Sequence, residues 1–328
     1  MDKYPISASS LEKFYYVDGH QLERQYKDHL SDYCSWDLDN PDAKQWMVFP
    51  ENVGPRMSID ETSLSDGELY TVLTNKDAHG RKGALAAIIL GTKAETVEDA
   101  LDHIPEEVRS TVEEITLDLS SSMRHIVRME FPKASKVIDR FHVQKLACEA
   151  IQEMRIKHRW KALDDDHERR LWEKTTGEQY QPEVFENGDT RPQLLARSRY
   201  LLFKSADNWT ESQRLRAKIL FEQYPDLKEA YWLTHNLRLI FSKTPRRSLA
   251  ATKLAHWYLA VENSNFSSFK SIAATFRDHE KEILNFFDNR STNASAESFN
   301  AKIKNFRAQL RGVTDVKYFL FRLQNIYA

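Results

Sequence analysis

At 328 residues the chain is longer than a single hydrophobic core usually organises, so either two domains or one core with a large insertion is expected. Its 41% hydrophobic content suffices for a core, while the lack of any eighteen-residue apolar run and of a basic-then-apolar leader in MDKYPISASS argues against membrane and export classes and for a cytoplasmic protein. A net charge of −2 conceals 24 Asp/Glu against 11 Lys/Arg in 1–120 and 25 against 36 in 121–328, which makes the second part either a surface for phosphate backbones or the basic half of a self-attracting pair.

Taken along the chain, residues 8–33 read as two helices around Asp18-Gly19. Three strands in a meander follow at 57–60, 68–74 and 83–91, with turns at Asp66-Gly67 and His79-Gly80. A short helix at 95–104 precedes a half-buried strand at 112–119, in which Ile115, Leu117 and Leu119 alternate with Glu114, Thr116 and Asp118. Ser120 or Ser121 can cap the next helix, which runs up to Pro132, and 134–139 forms a fifth strand. From 142 to about 287 strand character vanishes in favour of Lys, Arg, Glu, Leu and Trp, a helical block broken only at 175–193. The last helix starts near Asn293, with Phe299, Ile303, Phe306 and Leu310 on one stripe and Glu297, Asn300, Lys304, Arg307 and Arg311 on the other.

Three acids stand where a metal-dependent nuclease needs them: Asp60 in SIDETSL, Asp118 in ITLDLSSS and Glu297 in NASAESFN. Gathered into one site they would repel one another unless divalent cations sat among them. Each has a plainer reading. Asp60 beside Glu61 resembles a solvated strand edge, and Glu297 a solvated helix face; Asp118, on the polar side of a strand end before a helix, is the strongest alone. Asp139 and His142, three residues apart, suit a supporting role, the alternative being a helix cap with a His packed beneath it. DDDHERR at 164–170 reads as a solvated helical turn, and the isolated Cys34 and Cys148 support neither a disulfide framework nor a zinc site. Of Trp160, Trp172, Trp209, Trp232 and Trp257, most are expected in the core.

The order β-β-β-α-β-α-β resembles the RNase H-like fold, and the motifs resemble a narrower group. Ile59-Asp60-Glu61, Asp118 after an apolar strand, FPKASKVIDRFHV (131–143) with its D-x-x-H, and STNASAESFNAKIK (291–304) with Arg307 beyond are similar to insertion-sequence transposases of the bacterial ISL-three group over roughly 55–315. The resemblance implies an α/β fold whose RNase H-like mixed sheet is interrupted by an all-helical insertion. The divisions expected are 1–55, a short helical segment; 56–145, the first part of the core; 146–287, the insertion; and 288–328, the closing helix and tail.

It also implies a DDE transposase that cleaves DNA at element ends and transfers strands into a target. Two Mg²⁺ or Mn²⁺ ions would be held by Asp60, bridging, with Asp118 and Glu297 completing one each. Asp139 and His142 would support them. Arg246, Arg247, Trp257, Asn300, Lys304 and Arg307 are the DNA-contact candidates, Trp257 as a platform for an unpaired base. The partners implied are double-stranded DNA, further copies of the chain on that DNA and, because the first 50 residues hold one cysteine and at most the edge of a recognition module, a separately encoded DNA-binding protein. The rival expectations are a catalytically retired or host-adopted DNA-binding derivative and another RNase H-like nuclease.

Overall fold

The computed structural model describes residues 1–64 and 67–328, so Asp66 of the first expected turn lies outside the described residues. The chain divides into two compact units, Met1–Asp139 with Asn289–Ala328, and Arg140–Asp288. The first carries 28 acidic and 22 basic residues and the second 21 and 25. The larger share of the basic excess of 121–328 therefore belongs to 121–139 and 289–328, in the first unit, rather than to the helical insertion.

The first unit opens with α1 (Ala8–Tyr15), α2 (Gly19–Gln25) and α3 (Tyr33–Asp39), α2 being capped by Asp18, whose carboxylate accepts from Gln21 N. Next come β1 (Trp46–Val48), β2 (Arg56–Ser63), β3 (Leu69–Asn75), β4 (Leu85–Leu90), α4 (Ala94–Leu101), α5 (Glu106–Arg109), β5 (Glu114–Leu117), α6 (Ser121–Glu130) and β6 (Ser135–Ile138). Ser120 caps α6 through Met123 N. The six strands form one sheet in the order β1-β4-β3-β2-β5-β6, with β2 parallel to β5, β5 parallel to β6 and the other pairs antiparallel. β1 pairs Met47 with Ile88 inside what the sequence suggested was a purely helical leading segment. Three residues are too few to show a period of two.

In the second unit, α7 (Arg140–Thr176) is followed by α8 (Arg191–Arg197), α9 (Arg199–Phe203), α10 (Glu211–Gln223), α11 (Pro225–Lys243), α12 (Arg247–Asn263), α13 (Ser267–Asp278) and α14 (Glu280–Asn289), whose last residue already belongs to the first unit. α7 packs along α8, α9 and α11 through its first six turns, then runs on with almost every residue after Ala162 exposed. Trp172 lies on that stretch, and Trp160 just before it and Trp232 of α11 are exposed as well, against the expectation of a core role for most of the tryptophans. The irregular stretch after α7 is fastened by Asp189, fully buried, whose carboxylate accepts from Arg216 Nε at 2.7 Å and pairs with Arg197. Burial alone would push this carboxyl up, but the two arginines outweigh it and hold it below the usual Asp range. The stability it contributes is present above the ordinary Asp pKa of about 3.9 and is lost as pH falls through the folded value. Asp189→Asn leaves the largely buried Arg216 guanidinium without its charge partner, and urea unfolding of the whole chain is expected to show a loss of about 3 kcal/mol.

The chain closes the first unit with α15 (Ala294–Gln309) and α16 (Val316–Tyr327). Phe299, Ile303 and Phe306 of α15 and Phe319, Leu320, Leu323 and Ile326 of α16 bury one face of the sheet over Met47, Tyr70, Val72, Leu85 and Ile88. The alternate residues Met57, Ile59, Leu73, Ala87 and Ile89 turn to the other face, where α4 and α6 pack. α16 also receives the leading helices: Tyr26 and Tyr33 pack on Tyr318 and Phe321, and Trp36 Nε1 donates to Gln324 Oε1 at 2.8 Å. The buried Arg322 donates to the carbonyls of Met1, Tyr4 and Ile6. These leading helices are part of the scaffold behind α15. No helix among the described residues is long and apolar enough to cross a membrane.

Candidate active site

β2 and β5 run parallel with Ser58 opposite Thr116 as their last pair. Asp60 and Asp118 each lie two residues beyond it, so they fall level with each other, on the sheet face that Ser58 and Thr116 share. α15 crosses this face, and Asn300 Nδ2 donates to Asp60 Oδ2 at 2.9 Å. The other oxygen, Oδ1, accepts from Glu61 N at 2.8 Å, so the Asp60 carboxylate is held from two sides. Glu297 lies three residues before Asn300 on the same helix face, exposed in the first turn, where an anion is favoured by the helix dipole. Asp118 Oδ1 accepts from Ser120 N at 3.0 Å in a turn leading to α6. Asp60, Asp118 and Glu297 thus belong to one compact unit, although residues 140–288 intervene in sequence.

The electrostatics record the crowding. The Glu61 carboxyl is pushed above its usual range, first by burial and then by the charges of Asp118 and Asp60. Sequence reasoning treated Glu61 only as a neighbour; nothing in a single strand could show that β5 would bring another acid to it. Polar groups nearby are also left incomplete. The hydroxyls of Ser58 and Thr62, flanking Asp60 on its own side of β2, are buried without partners among the described residues, as are both side-chain atoms of Asn293, four residues before Glu297. Buried polar groups ordinarily find partners, so the two hydroxyls beside Asp60 mark a place that water, an ion or a substrate completes.

Among the described residues no three His, Cys, Asp or Glu side chains form a closed metal-ligand set. The donor chemistry nevertheless fits a hard divalent cation. Asp60 and Asp118 are ionisable, hard oxygen donors, and the repulsion felt by Glu61 is what a cation relieves.

Other candidates fall differently. Asn300 is buried and occupied with Asp60, so it supports the carboxylate and is not exposed to a DNA strand. Lys304 is exposed and Arg307 partly so, continuing from Glu297 along α15. In the second unit, Trp257 is 3% exposed, stacks on Phe276 and donates Nε1 to Leu233 O at 2.9 Å, which makes it a core residue and corrects its assignment as a base-stacking platform. Its apolar body was the better guide than its basic neighbours. Arg247 pairs with Asp288 at 2.6 Å and with Asn285, leaving Arg246 as the exposed member of that pair. Asp139, buried, ends the first unit just after β6, its N–H donating to Leu117 O at 3.0 Å; His142 lies in the first turn of α7, in the second unit.

Against known proteins, residues 57–323 match the model of the DDE-type ISL3 family, described as transposase. The matched span begins in β2 and ends in α16, taking in all three acids and most of the chain. The chain belongs to this family. With that membership comes the RNase H-like fold, in agreement with the mixed six-stranded sheet. The transposase for insertion sequence element IS1001 of Bordetella parapertussis is 23% identical over 270 residues, 82% of this chain and 60% of that protein. The transposase for insertion sequence element IS1557 of Mycobacterium tuberculosis is 25% identical over 255 residues, 76% of this chain and 54% of that protein. The chain therefore spans little more than half the length of the curated relatives it matches. No solved structure matches it.

Proposed function

We propose that this chain is the catalytic part of an insertion-sequence transposase, cutting DNA at the element's ends and joining the freed 3′-OH to target DNA, with Asp60, Asp118 and Glu297 as catalytic residues. The observation that carries the reading is that Asp60 and Asp118 each follow two residues after the last pair of the parallel β2–β5 ladder, both close enough to act on Glu61, with a helix that clamps Asp60 through Asn300 one turn from Glu297. Asp60, Asp118 and Glu297 would hold two Mg²⁺ or Mn²⁺ ions. Bound there, such ions supply Lewis acidity, activating the attacking oxygen and neutralising charge on the transferring phosphate. Asn300 fixes the direction in which Asp60 presents its lone pairs, and Ser120 N does the same for Asp118. Lys304 and Arg307, farther along α15, hold the phosphates of the strand that enters beside Glu297. Asp139 and His142 stay in a supporting role, and the working form is an oligomer on double-stranded DNA, with end recognition shared with a separate DNA-binding protein.

The test is incubation of the full chain with Mg²⁺ and a plasmid carrying the sequences that flank its own gene. Nicks that leave 3′-OH groups at the element boundary are expected. Binding without nicking would indicate a catalytically retired derivative, and equal cleavage of unrelated duplexes or of RNA–DNA hybrids a general nuclease of the same fold.

A further inference from the structure

Glu297 lies on a helix that returns to the sheet only after residues 140–288, so contacts must place it against Asp60 and Asp118: Asn300 and the apolar stripe of α15 seat the helix on the sheet, and the point of return fixes where the helix begins. That point is Asn289-Arg290-Ser291. Arg290 has φ +56°, the left-handed conformation that ends α14 and turns the chain. Its two neighbours both reach one carboxylate, Glu114 at the start of β5: Asn289 Nδ2 donates to Oε2 at 3.2 Å, and Ser291 Oγ donates to Oε1. Lys76, in the turn after β3, completes the group. Its ammonium donates to Glu114 Oε1 at 3.2 Å, to Thr116 Oγ1 at 2.8 Å and to Ser291 Oγ, a full use of its three protons. Glu114 is 4% exposed, and only 13% of the Lys76 side chain is.

Glu114 and Thr116 occupy alternate positions of β5 and share a face, and Asp118 follows one residue past the strand's end, so the network grips β5 two and four residues upstream of a catalytic acid. An apolar contact here would bury surface as well and tolerate sliding. A charged pair with five directional bonds does not, and fixing register is the best-attested use of buried polar groups. Burial alone would push the Glu114 carboxyl up, but Ser291, Asn289 and Lys76 outweigh it and keep it below the usual range, hence ionised at neutral pH.

We propose that Glu114 and Lys76 are positioning residues: they lock the returning segment 289–293 to β5 and so set where α15 begins and where Glu297 meets Asp60 and Asp118. The inference rests on the catalytic reading of Glu297. It is tested in the full chain with Glu114→Gln, Lys76→Met and the two combined, measuring kcat and KM for end cleavage, melting temperature, and hydrogen exchange of the 289–297 amides in metal-free protein. Each single variant is expected to lower kcat about 10- to 100-fold, as loss of outer partners of a ligand does, with KM for DNA unchanged. Exchange should rise in 289–297 and stay slow in β2 and β3. The double variant removes the stranded charge, so its melting temperature should recover while kcat does not. Recovery of kcat in step with melting temperature, or unaltered exchange at 289–297 in the single variants, would overturn the proposal. If Glu297→Gln itself cleaves normally, the catalytic reading fails instead, and the exchange result still decides whether the lock exists.

Discussion

Asp60→Asn, Asp118→Asn and Glu297→Gln are each expected to lower strand cleavage by about a thousandfold or more, the scale seen when one preorganised charge-stabilising group is removed, here raised by loss of a ligand. The three differ in what else they disturb. Asn at 60 would set a second amide against Asn300 Nδ2, so some stability should go with the activity. Asn at 118 keeps an oxygen that can still accept from Ser120 N. Glu297 is exposed, and Gln matches it in size and keeps an accepting oxygen, so this change should disturb the fold least of the three. Glu297→Gln is therefore the cleanest probe. Single-turnover cleavage of a labelled end, beside DNA affinity measured without divalent cation, separates chemistry from binding; wild-type cleavage in any of the three removes that residue from the site.

What was legible in the sequence, and what was not, follows from the range over which each feature is determined. Asp118 could be placed because alternation of Ile115 and Leu117 with Thr116 fixes a strand face locally, and β5 with the turn after it has that form. The faces of α15 could be read from a 3.6-residue period, and Phe299, Ile303 and Phe306 are buried where that period put them. The same pattern put Asn300 on the polar face without showing that Asp60 would meet it from β2. Glu114 was read as the polar side of a half-buried strand, and it is buried because 289–291 returns over it. β1 is too short to have a period, and it joins the sheet only because β4 offers an edge. Tryptophans were misjudged for a related reason: helical spacing says which residues share a side of α7, not that its distal half runs on without a partner helix. Local order was readable; closure between distant segments was not.

Removal of divalent cations should abolish cleavage and also leave a mark on stability. Glu61 is half-buried beside Asp118 and Asp60, and its carboxyl is raised above the ordinary Glu range, so the folded chain binds its proton more tightly than the unfolded chain does. A raised acid of this kind costs the metal-free fold stability as pH climbs from the ordinary carboxyl pKa, about 4.3, through the folded value, and that cost is fully present above it. A cation among the carboxylates reverses the sign of the local field. Mg²⁺ or Mn²⁺ should therefore raise the melting temperature of EDTA-treated protein, more at pH 8 than at pH 4, where protons compete for the same oxygens. Glu61→Gln should stabilise the metal-free chain at pH 8 and shrink the increment that Mg²⁺ gives, while Asp60→Asn and Asp118→Asn should shrink it further by removing donors. Ca²⁺, with its looser and larger coordination shell, should reproduce the stabilisation and support little or no cleavage. A wild-type melting temperature indifferent to Mg²⁺ and Mn²⁺ at pH 8, together with full cleavage after exhaustive chelation, would leave the crowding of acids on β2 and just past β5 in need of another explanation.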